Sequence, residues 1–234
     1  MSPVPSNKRF LLIGASRGLG FALAEEYIKR GWDVVATERD ARTSRLHRLA
    51  EAHPGRLEIE NVDIVHPDQV RALRARLGSR RFDTLFVNAG VKNDDRETIA
   101  DVSTEEFVRV MVTNALSPMR VIEVLEDTVV PDGTIGVMSS GQGSIANNES
   151  GRHEVYRGSK AALNMFMRSY AARHAGEKRT LLLMAPGWVR TDLGGPGARL
   201  SIEESIPHLA DTLDAAAGKA GLQFLDYLGR RLPW

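Results

Sequence analysis

Short apolar runs alternate with longer segments of helical period along this chain, and that alternation predicts its architecture. Phe10 to Ile13 (FLLI) is apolar throughout, as in a strand buried on both faces. A helix is predicted from about Gly18 to Arg30, where Leu19, Leu23 and Tyr27 recur at four-residue spacing. Gly31 marks its end, and Asp33 to Thr37 (DVVAT) reads as the second strand. A polar helix is expected around Ser44 to Ala52, and His53-Pro54-Gly55 turns into the strand LEIEN. Pro67 and Asp68 open a helix with Val70, Leu73 and Leu77 on one face, and Thr84 to Asn88 (TLFVN) follows as a strand.

The pattern then continues with longer helices. Ser103-Thr104-Glu105-Glu106 has the form of a helix start running towards Ser117 and Pro118, with another helix over about Arg120 to Asp127. Pro131-Asp132-Gly133 turns into the strand TIGVMS; Val155 to about His174 is a long helix; Leu181 to Ala185 and Leu222 to Asp226 are strands. Such alternation predicts right-handed βαβ units. The expected fold is therefore α/β: a single Rossmann-type domain over 1–234, a doubly wound parallel sheet of about seven strands with helices on both faces. Residues 188–207 have the Gly and Pro content of a mobile lid over the substrate.

Composition narrows the partners. With 31 basic against 30 acidic residues, interspersed, no field points to nucleic acid or an anionic membrane. The chain has no cysteine, which excludes disulfides, thiolate nucleophiles and zinc-thiolate sites. The six histidines show no ligand spacing, so no metal is expected. FLLIGA is too short for a signal segment or a membrane span, and a cytoplasmic location is the expectation.

The first strand runs into Gly14-Ala15-Ser16-Arg17-Gly18-Leu19-Gly20 at the start of the first helix. Glycines there let backbone N–H groups approach a diphosphate at a helix N-terminus. A tight turn without ligand would use the same residues, but a phosphate-binding P-loop would need a Gly-Lys-Ser/Thr that is absent. At the end of the second strand, Glu38 would favour ribose hydroxyls, whereas Arg39 together with Arg17 would favour a 2′-phosphate. A carboxylate that can rotate into solvent is outweighed by two guanidiniums. NADP(H) is the expected cofactor and NAD(H) the other possibility; Glu38 and Arg39 as plain solvated charges is the bland reading.

Tyr156 and Lys160 are four apart on the long helix and so share a face. An ammonium beside a phenol would lower its pKa from ~10 towards the working range of a proton donor. Alone, this spacing fits many surface helices. In combination with the glycine loop, VNAG and VMSS in one order, it identifies a wider resemblance. From GASRGLG through Asp63 and NAG to PGWVRT, the chain resembles the short-chain dehydrogenase/reductase family; YRGSKAALNMF, APGWVRTDLGG and the LPW ending resemble the sniffer and C-factor-like carbonyl reductases.

That resemblance implies hydride transfer between nicotinamide and a carbonyl or alcohol. It implies Tyr156 as general acid-base, Lys160 as its tuner and ribose ligand, Ser140 as donor to the substrate oxygen, and Asn114 as holder of a relay water. Gly14, Ser16, Arg17, Gly18, Leu19, Gly20 and Arg39 would contact diphosphate and adenosine, with Asp63 and Ile64 at the adenine. Asn88, Ala89 and Gly90 would line the trough, while Pro186, Gly187, Val189 and Thr191 would face the nicotinamide. A homodimer or homotetramer is implied, through the helices beginning near Thr104 and Val155. Ser140 stands further from Tyr156 than in many members, leaving Ser139 and Ser144 as rivals that could cap turns instead. Ile13 replaces a threonine often found before the first glycine.

Other residues are read plainly. His153, without a partnered acid, would be a cleft-entrance loop residue. Met165-Phe166-Met167 would be buried in the core or against a second subunit. Trp188 would cover the nicotinamide or pack under the Gly194 to Gly197 loop. The rival to an enzyme is a dinucleotide-binding regulatory protein with little turnover, against which the Ser140, Tyr156 and Lys160 set argues.

Overall fold

Each run read as a strand joins one sheet in the structure, a computed structural model that describes residues 8–39 and 45–234. The strands are β1 (Arg9–Ile13), β2 (Asp33–Glu38), β3 (Leu57–Asn61), β4 (Phe82–Val87), β5 (Val129–Met138), β6 (Thr180–Ala185) and β7 (Gly221–Asp226). All pair in parallel in the order β3-β2-β1-β4-β5-β6-β7. The chain winds outward from β1 to β3, then returns to lay β4 on the other side of β1. That reversal opens a crevice beyond the carboxyl ends of β1 and β4.

Strand period places alternate residues on opposite faces. Phe10 and Leu12 of β1 pack with α1 (Gly18–Lys29), α2 (Arg45–Ala52) and α7 (Ile202–Ala216) through Leu23, Tyr27, Leu46, Leu49, Leu209 and Leu213. Leu11 and Ile13 join the opposite core, built from α3 (Pro67–Leu77), α5 (Ser117–Leu125) and α6 (Glu154–Arg173) through Val70, Leu73, Ile122, Leu163 and Met167. Each such side chain withdrawn from water contributes roughly 1.5–3 kcal/mol. The two layers fix the sheet, and with it the strand ends that carry the site.

Four readings change. The segments expected as two helices around Thr104 and Arg120 are continuous: α4 (Thr104–Met111) passes through a π-turn over Val112–Leu116 into α5. Pro118 has no N–H for the Asn114 carbonyl, and the wider turn carries the helix past that missing bond. Second, the proposed lid ends earlier than 207, because α7 begins at Ile202 under a capping box in which Ser201 and Glu204 satisfy each other's backbone N–H. Only the part before it is loop, closed at its base where Val189 pairs with Leu200. Third, Pro131-Asp132-Gly133 bulges from within β5, where its register against β4 shifts. Finally, Met167 is buried, but Met165 and Phe166 are exposed, so the Met165-Phe166-Met167 run is not core as a whole. Ser44, the expected start of α2, lies outside the described residues. No helix among the described residues is long and apolar enough to cross a membrane.

Candidate active site

A cleft of about 910 Å³ runs along the strand ends at the β1/β4 crevice. Its floor is the glycine loop. Gly14 has φ +90°, and a side chain there would strike Ala89 at 2.8 Å. Its N–H finds an acceptor on the neighbouring strand, Thr37 Oγ1 at 2.9 Å, and its carbonyl accepts from Asn88 Nδ2 at 2.7 Å. Gly20 does not line the cleft as expected. A Cβ at that position would lie 2.1 Å from the Gly14 carbonyl, so Gly20 lets α1 press against the turn it follows. Ser16, Arg17, Gly18 and Leu19 line the cleft with Gly14, and Asp63, Ile64, Asn88, Ala89 and Gly90 form its further walls.

The adenosine end differs from expectation at two charges. Glu38 is not a carboxylate free to turn into solvent: it is 2% exposed, with Oε1 2.7 Å from His47 Nε2. Arg17 pairs across the cleft mouth with Asp192, at 3.0 Å, and both side chains are well exposed. An exposed pair of this kind is worth about 0–1 kcal/mol and yields readily to a stronger anion. Arg39 is exposed beside the cleft, and so is Arg45, whose guanidinium lies 4.6 Å from the Phe21 ring centroid. Arg45 was not legible as a site residue. The available signal was a basic residue opening the helix after the second strand, near the helix start where anions are favoured.

At the other end, α6 presents Tyr156 and Lys160 to the cleft. Ser140, just beyond β5, stands near enough to the Tyr156 phenol to influence its ionisation, although it does not itself line the cleft. Ser140 Oγ accepts from the Gln142 N–H at 3.1 Å, which orients it. The rival serines are engaged elsewhere: Ser139 Oγ donates to Asn164 Oδ1 at 2.6 Å, and Ser144 Oγ accepts from Asn147 N–H. Lys160 Nζ donates to the Met138 carbonyl at 2.9 Å and lies 5.8 Å from the Tyr156 ring centroid. A Cβ on Gly90 would stand 3.5 Å from that Nζ, an ordinary contact, so Gly90 borders the ammonium without being required by it.

Electrostatics here run opposite to the sequence expectation for tyrosine. Desolvation pushes the Tyr156 phenol up to about 12, with the neighbouring Ser140 hydroxyl opposing it, and pushes the Lys160 ammonium down to about 8. Desolvation disfavours the charged form of each, and this outweighs mutual tuning in the geometry described.

Asn114 is fully buried and away from the cleft surface. Its Oδ1 accepts from Val91 N–H at 2.8 Å, while Nδ2 donates to the Val91 carbonyl and Ser159 Oγ. The amide is thus occupied in holding the loop after β4 against α6, and a water there would need the main-chain carbonyl instead. Of the residues after β6, Thr191 lines the cleft, whereas Pro186, Gly187 and Val189 form the base it stands on; the Pro186 carbonyl accepts from Ser205 Oγ. Trp188 Nε1 donates to the Gly194 carbonyl at 2.8 Å, so it packs on its own loop. His153 does have a partnered acid: its Nδ1 lies 3.0 Å from Asp95. Its backbone takes a left-handed conformation at the start of α6. No group of His, Asp or Glu among the described residues is placed to hold a metal.

Comparison with known proteins agrees with this geometry. The family model described as enoyl-(acyl carrier protein) reductase matches residues 14–208. The chain is 33% identical to the C-signal protein of Myxococcus xanthus over 70% of this chain and 100% of that one. A crystallised Burkholderia multivorans protein assigned to the short-chain dehydrogenases/reductases, with bound NADP, is 62% identical with a TM-score of 0.96, covering 97% of this chain and 100% of its own. Carbonyl reductase Sniffer of D. melanogaster is 26% identical with a TM-score of 0.89, covering 98% and 100%. The chain belongs to the short-chain dehydrogenase/reductase family.

Proposed function

We propose that this chain is an NADP(H)-preferring carbonyl reductase. The observation that carries the reading is Tyr156 with Lys160 one turn along α6, both lining one cleft with the glycine loop, and Ser140 beside the phenol. The residues fit a dinucleotide. The glycine loop brings backbone to the N-terminus of α1 where a diphosphate is favoured. Asp63 and Ile64 wall the adenine end, and Arg39 and Arg45, with Arg17 once released from Asp192, would meet a 2′-phosphate. The bound Burkholderia neighbour carries NADP at 62% identity, which supports the same cofactor here.

Bound nicotinamide would supply the hydride, and the protein the rest. Ser140 would hydrogen-bond the substrate oxygen as negative charge grows there. Tyr156, kept neutral by desolvation, would hand its phenolic proton to that oxygen. Lys160, held by the Met138 carbonyl, would hold the ribose and face the vacated phenolate. The loop carrying Trp188 to Gly197 would close over the substrate as a lid. Exposed apolar residues on α4 and α6, Phe107, Val108, Met165 and Phe166, support association of subunits into a homodimer or homotetramer.

The test is NADPH oxidation against a panel of aldehydes and ketones, with Tyr156→Phe as control. Turnover with at least one carbonyl, falling by about 10²–10⁴-fold in the variant, is the expected outcome. Equal rates in both proteins would refute the mechanism. Tight NADPH binding with no turnover on any carbonyl would favour a binding role instead.

A further inference from the structure

Tyr156 is the third residue of α6 and so stands in its first turn, where backbone N–H groups have no helical acceptor and a helix frays. The cap residue, His153, makes no side-chain hydrogen bond to that turn. It has φ +61°, the one non-glycine residue in the left-handed region among the described residues. Such a backbone is sparsely populated and persists where its surroundings impose it. Val155 is buried, so the core holds one side of the turn. Arg157 reaches back to the Arg152 carbonyl and Ser150 Oγ, but both belong to the exposed loop that leads into the helix. Two further ties cross to the loop after β4: His153 Nδ1 lies 3.0 Å from Asp95 Oδ1, and Glu154 Oε2 accepts from Ile99 N–H at 2.6 Å. That loop is itself braced. Lys92 Nζ donates to the other Asp95 oxygen at 2.5 Å, and Arg109 of α4 donates to the Lys92 carbonyl at 3.0 Å. Asn114 holds both backbone groups of Val91, which lines the cleft. Contacts therefore run from α4 and the cleft wall to the end of α6 that carries the phenol.

We propose that Asp95 and His153 clamp the first turn of α6 and thereby position the Tyr156 phenol for proton transfer. This rests on the acid-base role given to Tyr156 above. Neither residue lines the cleft, and both act through Tyr156 as positioning residues. The imidazole held by Asp95 keeps the left-handed backbone in place, and Tyr156 follows it within one helical turn. Without that tie His153 can relax to an ordinary backbone conformation, and the turn re-aims the phenol. A shift on the order of 1 Å at a reacting group can lower a rate by about 10²-fold. The glycine loop and the adenosine end stand outside these contacts, so NADPH affinity should be kept.

The test sets kcat, on the carbonyl that wild type reduces best, against NADPH affinity read from the change in its fluorescence on titration with the full chain. His153→Gly accepts the left-handed backbone but has no side chain to reach Asp95. Its kcat should fall by about 10–100-fold with NADPH affinity unchanged. His153→Asn tolerates the same backbone and sets an amide nitrogen about where Nδ1 stands, so it should keep most of the activity. Asp95→Ala should lower kcat by the same factor as His153→Gly, and the double variant should lose no more than either, since each removes the one contact. Hydrogen–deuterium exchange over residues 153–160 should rise in both single variants and not in His153→Asn. If the glycine variant does not fold, Asp95→Ala, which leaves His153 itself unaltered, gives the same comparison. Unchanged kcat in the single variants, a fall just as deep in His153→Asn, or a loss that appears as weaker NADPH binding overturns the clamp and leaves the role of Tyr156 intact. A wild type that reduces no carbonyl, or a Tyr156→Phe variant of equal rate, overturns that role and the clamp with it.

Discussion

At the residue scale, buried Lys160 and half-buried Tyr156 stand one helical turn apart, and desolvation moves their pKa values in opposite directions. Lys160 has its pKa lowered to about 8, so the folded protein disfavours the ammonium and the unfolded chain holds the proton up to ~10.4. Between those values the unfolded state binds more protons, and stability rises with pH. Tyr156, raised to about 12, has the reverse effect: above ~10 the unfolded chain ionises first and stability falls. Denaturant titrations across pH should show stability climbing from about pH 8 to 10, by on the order of 3 kcal/mol, then declining. Lys160→Met should flatten the climb and leave the alkaline decline; an unchanged climb would mean the lysine is well solvated. That Tyr156 and Lys160 share one face of a helix was legible from their spacing, and both line the cleft. The direction of the tyrosine shift was not, since burial is a property of the packed sheet ends. Nor was the turning of Glu38 towards His47, which needs a helix whose placement no local pattern reports.

At the scale of elements, caps and turns decide where side chains stand. The Ser103 cap, accepting from Glu106 N–H at 3.1 Å, matches its sequence signature. The equivalent signature at Ser201 and Glu204 announces α7, but the Gly and Pro residues before it and Pro207 within it masked the helical period. Ser201→Ala should cost about 1 kcal/mol, measured by thermal or chemical unfolding, because it leaves N-terminal N–H groups without acceptors. A loss below a few tenths would show that α7 is held by packing alone. Gly20→Ala is the sharper case: its methyl would meet the Gly14 carbonyl, backbone that can yield only by opening the glycine loop. It should cost about 1–3 kcal/mol and weaken NADPH binding at least tenfold. Normal binding by that variant would show that the loop tolerates a wider turn than the structure displays. The π-turn between α4 and α5 lay beyond sequence reasoning, because a proline reads as a break whether the chain stops or widens.

For the molecule as a whole, the doubly wound parallel sheet of about seven strands followed from the alternation of strands and helices, and the apolar runs supplied the two cores on either face of the sheet. Register, the bulge in β5 and the exposure of Met165 and Phe166 did not follow, as these depend on which face each long helix turns to its neighbours. That exposed face on α4 and α6 carries the association proposed above. Light scattering behind gel filtration should give at least twice the 25.7 kDa chain mass, and Phe107→Glu with Phe166→Glu should return it towards one chain. A monomeric wild type would remove subunit association from the account and leave the cleft untouched. The claim on which the rest depends is that a proton from Tyr156 and a hydride from the nicotinamide reach one carbonyl in this cleft. Mass spectrometry of the alcohol formed with 4-deuterated NADPH tests it most directly. The account predicts deuterium on the carbinol carbon with the wild type and, over the same time, about 10²–10⁴-fold less labelled alcohol with Tyr156→Phe; equal amounts of labelled alcohol from both proteins would contradict it.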